Sequence, residues 1–193
     1  RELRLNGPWR IEIFGKGDKP TLAAEWTWEI LPDKDWVAEN QRSFQPFKVG
    51  PFWVHPSHNK EEMPAGAIPL EIDAGMAFGT GTHATTRGCL EMLATLDPKE
   101  TANAVDVGCG SGILAIAMAK LWQRPVLGGD NDPQAVDVAI ENASLNGVAK
   151  FCGFVTSVGL SHPTLAKASP YDLIVANILA GPLLDLTDTF RYA

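Results

Sequence analysis

The feature that most constrains this chain is a short apolar run followed at once by three closely spaced glycines and an apolar segment. Residues 104–107 are mostly apolar and include two valines, which is typical of a buried strand. Gly108, Gly110 and Gly112 then predict a tight turn, and residues 113–122, rich in alanine and leucine, predict a helix. A strand, a glycine turn and a helix in this order form the ligand cradle of open α/β sheets, because bare backbone and a helix N-terminus face the ligand.

The spacing of the glycines discriminates between classes of ligand. The dinucleotide-binding fingerprint, G-x-G-x-x-G, has its third glycine at the position that Ile113 occupies here, which argues against a pyrophosphate ligand. The observed G-x-G-x-G pattern resembles instead the loop of class I methyltransferases, which holds the amino-acid half of S-adenosylmethionine. The turn alone also leaves open a glycine-rich connection that binds no ligand.

An acidic residue follows at the distance that a nucleoside site requires. A second predicted strand ends at Asp130, which lies 22 positions after Gly108. This fold expects a ribose-binding acid about 20 residues after its glycine turn. Asp132 and Pro133 predict the N-cap and first position of a helix. We therefore assign Asp130 to the ribose hydroxyls and Asp132 to helix capping.

Two further segments point to the same edge of the sheet. A third strand is expected within residues 148–154, and the apolar residues 171–176 predict a fourth strand that ends at Asn177. In a doubly wound sheet the fourth strand lies beside the first, which would place Asn177 close to the glycine turn. Thr85 and Thr86 precede a predicted helix, and their hydroxyls would either cap that helix or reach a ligand.

The first part of the chain predicts an α+β unit. Residues 9–13 and 24–30 alternate in the manner of half-buried strands, and residues 36–43 predict a short helix. Residues 46–56 contain three prolines and predict an irregular extended connection, followed by a polar linker.

Charge, cysteine content and hydropathy limit the classes of protein and of binding site that this chain can represent. Residues 62–193 carry the whole net charge of −7, which disfavours a nucleic-acid surface and suits a basic protein partner, a lysine substrate or simply solubility. Three cysteines without C-x-x-C spacing fit a reducing cytoplasm. No apolar stretch approaches 18 residues, so a membrane span is not expected. His55 and His58 have H-x-x-H spacing without a visible third ligand, so a metal site is not expected either.

Four segments together carry a specific resemblance to a known family. They are residues 75–83, 106–117, 130–135 and 175–183, of which Phe-Gly-Thr-Gly-Thr-His and Asn-Ile-Leu-Ala are the most distinctive. From about Asp35 to its end, the chain resembles the bacterial ribosomal protein L11 methyltransferases.

The resemblance implies an α/β fold with a Rossmann-like class I methyltransferase sheet, preceded by part of a small α+β domain. Residues 1–57 would belong to a substrate-recognition domain, 58–67 to a linker and 68–193 to the methyltransferase domain. A class I sheet has further strands after the fourth, so we expect the C-terminal strands to be missing. The implied enzyme is a cytoplasmic, monomeric protein N-methyltransferase. It would use S-adenosyl-L-methionine to methylate lysine ε-amines and the N-terminal α-amine of a large-subunit ribosomal protein.

The same resemblance nominates the site residues. Thr86, Gly108, Gly110, Asp130 and Asn177 would contact the cofactor, and Asn177 would also be catalytic. Two additional positions belong to the family's motifs: Phe78 would lie over the cofactor, and Asp106 precedes the glycine turn.

The chain departs from the family's motifs at two positions, and two alternative functions stay open. Ala84 stands where the family has proline, and Asn131 replaces an apolar residue. The chain could instead act on another amine or amide, such as a protein glutamine or a nucleobase, or could be a cofactor-binding fragment without activity. His83 could accept a proton, although a hydrogen bond within its loop is the simpler role.

Overall fold

The computed structural model describes residues 45–59, 61–73 and 84–193. The strands and helix predicted within residues 1–44 lie outside this part of the chain, as do Phe78 and His83. The described elements are β1 (Phe47–Val49), β2 (Phe52–His55), β3 (Ile68–Glu71), α1 (Ala84–Leu93), β4 (Ala104–Val107), α2 (Ile113–Trp122), β5 (Val126–Asp130), α3 (Pro133–Leu145), β6 (Cys152–Thr156), α4 (Pro163–Ala168), β7 (Leu173–Val175), α5 (Ala180–Asp185) and α6 (Thr187–Arg191).

A parallel sheet with strand order β6-β5-β4-β7 forms the centre of the described fold. Strand β4 pairs with β5 on one side and with β7 on the other, and β5 also pairs with β6. All three pairings are parallel. The strand order therefore reverses beside β4, as the sequence predicts. The α/β fold class is confirmed, and the reversal marks the sheet edge where ligands bind in such folds.

A second, smaller sheet has the order β1-β2-β3. Strands β1 and β2 are antiparallel, whereas β2 and β3 are parallel. The irregular connection predicted over residues 46–56 is wrong, because the prolines fall at the ends of the strands and in the turn, where no ladder N–H is lost. Strands β2 and β3 flank the predicted 58–67 linker, and the domain boundaries at 57 and 67 stay a prediction.

Helix α2 packs at the centre of the main core. Nearly every one of its side chains is buried, including Ile113, Ile116, Met118 and Trp122. A helix that is apolar all round requires covering on every side. The covering residues come from the small sheet, from α1 and from the main sheet; among them are Phe52, Val54, Leu70, Leu90 and Val126. A second apolar cluster, which includes Val105, Val107, Leu160 and Leu165, covers the other face of β4.

Helix α3 begins as the sequence predicts, with Asp132 as its N-cap. The Asp132 carboxylate accepts the Gln134 backbone N–H at 2.9 Å, and Gly147 follows the C-cap with φ +68°. The buried face of the helix is not wholly apolar: Ile140 is 46% exposed, whereas Asn142 is buried. The helix therefore presents a polar side chain to the interior, which must find hydrogen-bond partners there.

We predict that Gly112→Ala destabilises the chain more than Gly147→Ala. Both glycines have positive φ, so either alanine costs about 1–2 kcal/mol in a left-handed conformation. A Cβ at Gly112 would lie 2.9 Å from the Cβ of Ala139 on α3, whereas no atom of the described residues lies within 4 Å of one at Gly147. Overpacking adds roughly 1–3 kcal/mol at Gly112 alone. Urea unfolding of the two variants measures the difference, and equal losses would contradict this packing of α3.

Candidate functional site

The carboxyl ends of three parallel strands bring the predicted site residues to one edge of the main sheet. Val107 pairs with Gly129, and Asp106 pairs with Val175. The glycine turn after β4, Asp130 at the end of β5 and the segment after β7 therefore start at the same level. This is the edge at which the strand order reverses.

Asp130 ties the glycine turn to the beginning of α3. Its Oδ2 accepts the Gly110 backbone N–H at 2.8 Å, and its Oδ1 accepts the Asp132 backbone N–H at 3.0 Å. A carboxylate has about four lone-pair positions, so about two remain for other donors. That capacity matches the pair of hydroxyls on a ribose. The Gly110 N–H donates within the chain, so Gly110 would meet a ligand through its Cα and carbonyl.

The glycine turn is in close contact with the segment that follows β7. Gly108 has φ +72°, and its N–H donates to the Gly129 carbonyl at 2.7 Å. A Cβ at Gly108 would collide with the side chain of Ile178. Only glycine satisfies both the backbone conformation and this close approach. Asn177, next to Ile178, is therefore a neighbour of the turn.

Thr86 and Asn177 are joined directly although they lie 91 positions apart. The Asn177 Nδ2 donates to the Thr86 Oγ1 at 3.0 Å. Thr86 is buried within α1, so its hydroxyl gives the amide a fixed partner. This bond uses the amide nitrogen and leaves the Asn177 carbonyl oxygen as the acceptor that the side chain can offer to a substrate N–H.

Asp106 is a buried carboxyl directly before the turn. Its Oδ2 accepts the Ala115 backbone N–H at 3.1 Å, so it satisfies one of the N–H groups at the start of α2 that have no partner within the helix. Its Oδ1 has no hydrogen-bond partner in the described part of the chain. Burial raises the pKa of Asp106 to about 7; the Ala115 bond lowers the pKa, and the charge of Asp130 raises it further.

Burial disfavours the reactive form of the three thiols. All of them are free, and burial raises the pKa of each, that of Cys152 to about 12. The thiolate is the reactive form of cysteine, so the raised pKa values lower their reactivity at neutral pH.

The described residues contain neither a cluster of metal-ligating side chains nor a membrane-spanning helix. No group of three or more His, Cys, Asp or Glu side chains in residues 45–59, 61–73 and 84–193 lies close enough to hold a metal ion. The His55 ring lies within hydrogen-bond distance of the Pro56 carbonyl, at 3.0 Å from Nδ1. In the same ranges, no helix is both long and apolar enough to cross a bilayer.

Asn142 is a site neighbour that the sequence analysis missed. It is 2% exposed, and its Nδ2 donates to the carbonyl of Ser111, in the glycine turn, at 2.9 Å. The available signal was its position: Asn142 lies three residues after Ala139 and one before Ala143, on the buried face of α3. A polar residue in a buried stripe indicates a specific hydrogen bond.

Asp106→Asn tests whether the chain loses stability by ionising this buried carboxyl. Burial raises the pKa of Asp106 in the folded chain to about 7, so the folded chain holds the proton more tightly than the unfolded chain does. The protonated Asp106 therefore contributes to the free energy of unfolding. That contribution is fully present below the ordinary carboxyl pKa and is lost as the pH rises through about 7. We expect the variant to melt roughly 5 °C higher than the wild type at about pH 8.5, and the gap to shrink at about pH 5.

Circular dichroism melts across this pH range measure the effect. Asp137→Asn, which changes an exposed acid on α3, is the matched control for the lost charge. A gap between Asp106→Asn and wild type that is independent of pH would contradict the assignment.

Comparison with known proteins identifies a family. The family model described as ribosomal protein L11 methyltransferase (PrmA) matches residues 12–193. A protein named ribosomal protein L11 methyltransferase from Brucella abortus (strain S19) is 49% identical over 164 residues, which cover 84% of this chain and 58% of that protein. The protein of the same name from Mesorhizobium japonicum is 50% identical over 159 residues, covering 82% and 55%.

A solved structure agrees with the sequence matches. The crystal structure of ribosomal protein L11 methylase from Lactobacillus delbrueckii subsp. bulgaricus is 32% identical with a TM-score of 0.64, and the match covers 77% of this chain and 74% of that one. The chain spans less than two thirds of the length of the curated relatives, 58% of the Brucella protein. The extent of the family match, the sequence identity and the shared fold show that the chain belongs to the ribosomal protein L11 methyltransferase family.

Proposed function

We propose that this chain binds S-adenosyl-L-methionine at the edge of the main sheet and transfers its methyl group to amine nitrogens of ribosomal protein L11. The observation that carries the proposal is the contact of Ile178 with the glycine turn. This contact puts Asn177, a candidate acceptor for a substrate amine, next to the turn that Asp130 holds. Family membership supports the same function.

The residues present fit this cofactor. Asp130 has acceptor capacity left for the two ribose hydroxyls after its bonds to Gly110 and Asp132. The bare backbone at Gly110 would lie against the amino-acid half, and Gly108 would contact it on a side of its backbone that Ile178 does not occupy. The Oδ1 of Asp106, which has no partner among the residues that the structure describes, is an acceptor next to this turn and suits a cationic ammonium group. Thr86 and Asn177 complete the proposed cofactor-binding set.

The chain's own contribution to catalysis would be to bind the amine in its neutral form, after its proton has passed to water, and to align it. When bound, S-adenosylmethionine supplies a methyl group on a sulfonium, which is an excellent leaving group. The lysine amine must be neutral to attack, yet its ordinary pKa is about 10.4. Desolvation beside a cation lowers that pKa. The Asn177 carbonyl oxygen would accept an amine N–H and direct the nitrogen lone pair towards the methyl carbon.

The finer substrate assignment follows from the resemblance. We propose lysine ε-amines and the N-terminal α-amine as the acceptor groups, in a cytoplasmic monomer. The net charge of −7 within residues 62–193 favours a basic partner such as a ribosomal protein. Methylation of another amine or amide, or cofactor binding without turnover, are the competing functions. Methyl transfer to a panel of purified ribosomal proteins and free nucleobases separates them.

Asp130→Ala should abolish cofactor binding, whereas Asp132→Ala should not. The first change removes the carboxylate that holds the turn and that would hold the ribose. The second removes a helix cap of the adjacent α3, at a cost of about 1 kcal/mol in stability. Isothermal titration calorimetry with S-adenosylhomocysteine measures both variants. We expect a rise in Kd of at least about 100-fold for Asp130→Ala, since charged hydrogen bonds are lost, and about twofold or less for Asp132→Ala. Normal binding by Asp130→Ala would show that the ribose lies elsewhere.

Asn177→Ala should reduce turnover more than stability. Loss of the aligning acceptor is expected to lower kcat by about 100-fold, with a smaller rise in the Kd for the cofactor. Transfer of a radiolabelled methyl group to purified L11 measures kcat, and a melting curve measures stability. Asn131→Ala, which alters an exposed neighbour of Asp130, is the control that should retain activity. Unchanged turnover in Asn177→Ala would remove Asn177 from the mechanism.

A further inference from the structure

We propose that Asn142 is a positioning residue for the cofactor site: it holds the glycine turn at Ser111 and joins it to the end of β3. The inference rests on the proposed function, because it concerns affinity for the same cofactor. It goes further by naming a residue outside the predicted ligand contacts whose side-chain amide sets the shape of the turn.

Both polar atoms of the Asn142 side chain have partners on different elements. Its Nδ2 donates to the Ser111 carbonyl at 2.9 Å, and its Oδ1 accepts the Asp73 backbone N–H at 3.3 Å. The residue is 2% exposed, and its bond to Ser111 is buried, whereas its bond to Asp73 is partly buried. The Asp73 carboxylate in turn accepts the Ser57 N–H at 2.8 Å, which anchors that partner to the connection after β2. One amide therefore links the glycine turn to the small sheet.

The region around α3 holds the turn at three successive positions. Asp130, just before the helix, binds the N–H of Gly110. Asn142 binds the carbonyl of Ser111. Ala139 packs against Gly112 so closely that a Cβ there would lie 2.9 Å from the alanine methyl group. Because adjacent residues of the turn face three different supports, loss of the Ser111 bond would remove one of the contacts that fix the middle of the turn.

Asn146 provides a matched contrast on the same helix. It lies one helical turn after Asn142, and its Oδ1 accepts the Glu71 N–H at 3.0 Å while its Nδ2 donates to the Glu71 carbonyl at 2.6 Å. These bonds hold α3 against β3, as the Asn142 bond to Asp73 does. None of the side-chain bonds found for Asn146 reaches the glycine turn. A purely structural role predicts similar behaviour for the two asparagines, whereas a positioning role predicts a difference in cofactor affinity.

The test compares Asn142→Leu with Asn146→Leu in the 193-residue chain. Calorimetric titration with S-adenosylhomocysteine, well below the melting temperature of either variant, gives Kd, and thermal melts give stability. We expect both variants to lose stability, but only Asn142→Leu to raise Kd, by about tenfold or more. The corresponding kinetic signature is a raised KM for S-adenosylmethionine, with kcat at saturating cofactor within about twofold of wild type.

If a leucine variant does not fold, the same measurements are made on a second pair, Asn142→Ala and Asn146→Ala. Alanine is compatible with a helix and adds no bulk. Equal Kd values within a pair, or an unchanged Kd for the Asn142 variant, would overturn the inference while the proposed function stands. Failure of the wild-type chain to bind S-adenosylhomocysteine would overturn both.

Discussion

The site depends above all on the bond between the Asp130 carboxylate and the Gly110 N–H. A glycine-rich turn has high conformational entropy when unfolded, so an ordered turn requires specific partners. Asp130 supplies one of them and also binds the N–H of Asp132, at the start of α3. The same side chain therefore orders the turn, begins the next helix and keeps acceptor positions for a ligand.

Beneath the turn, the chain accepts an unfavourable arrangement. Asp106 is buried, only one of its oxygens has a hydrogen-bond partner among the described residues, and its pKa is raised to about 7. Gly108 and Gly112 have positive φ and admit neighbouring side chains where a Cβ would stand. Such local costs persist where surrounding packing determines the conformation, and they are frequent at functional sites. A ligand that pairs with Asp106 would stabilise the folded chain by binding linkage.

The described elements also explain how distant parts of the chain converge on one edge. Thr86 arrives on α1, which packs against α2, and Asn177 arrives after β7, which pairs with β4. Asn142 and Asn146 connect α3 to the small sheet through buried or half-buried bonds. Buried polar bonds of this kind favour one arrangement of the elements, because any other leaves polar groups unpaired. In this family member they link the small sheet to the side of the fold that carries the glycine turn.

The sequence by itself determined the features that depend on near neighbours in the chain. The glycine spacing, the interval from Gly108 to Asp130, the Asp132 cap and the parallel order of β4 and β7 all follow from local patterns and from the connection rules of α/β folds. The prediction of an irregular connection over residues 46–56 was wrong because a proline interrupts a strand only in its interior, and these three prolines lie at strand ends and in the turn. Only the tertiary structure decided the Thr86–Asn177 bond, the Asp106–Ala115 bond and the Asn142–Ser111 bond. Each joins separate elements, and tertiary packing decides which polar groups meet there, because local spacing along the chain does not determine contacts between elements.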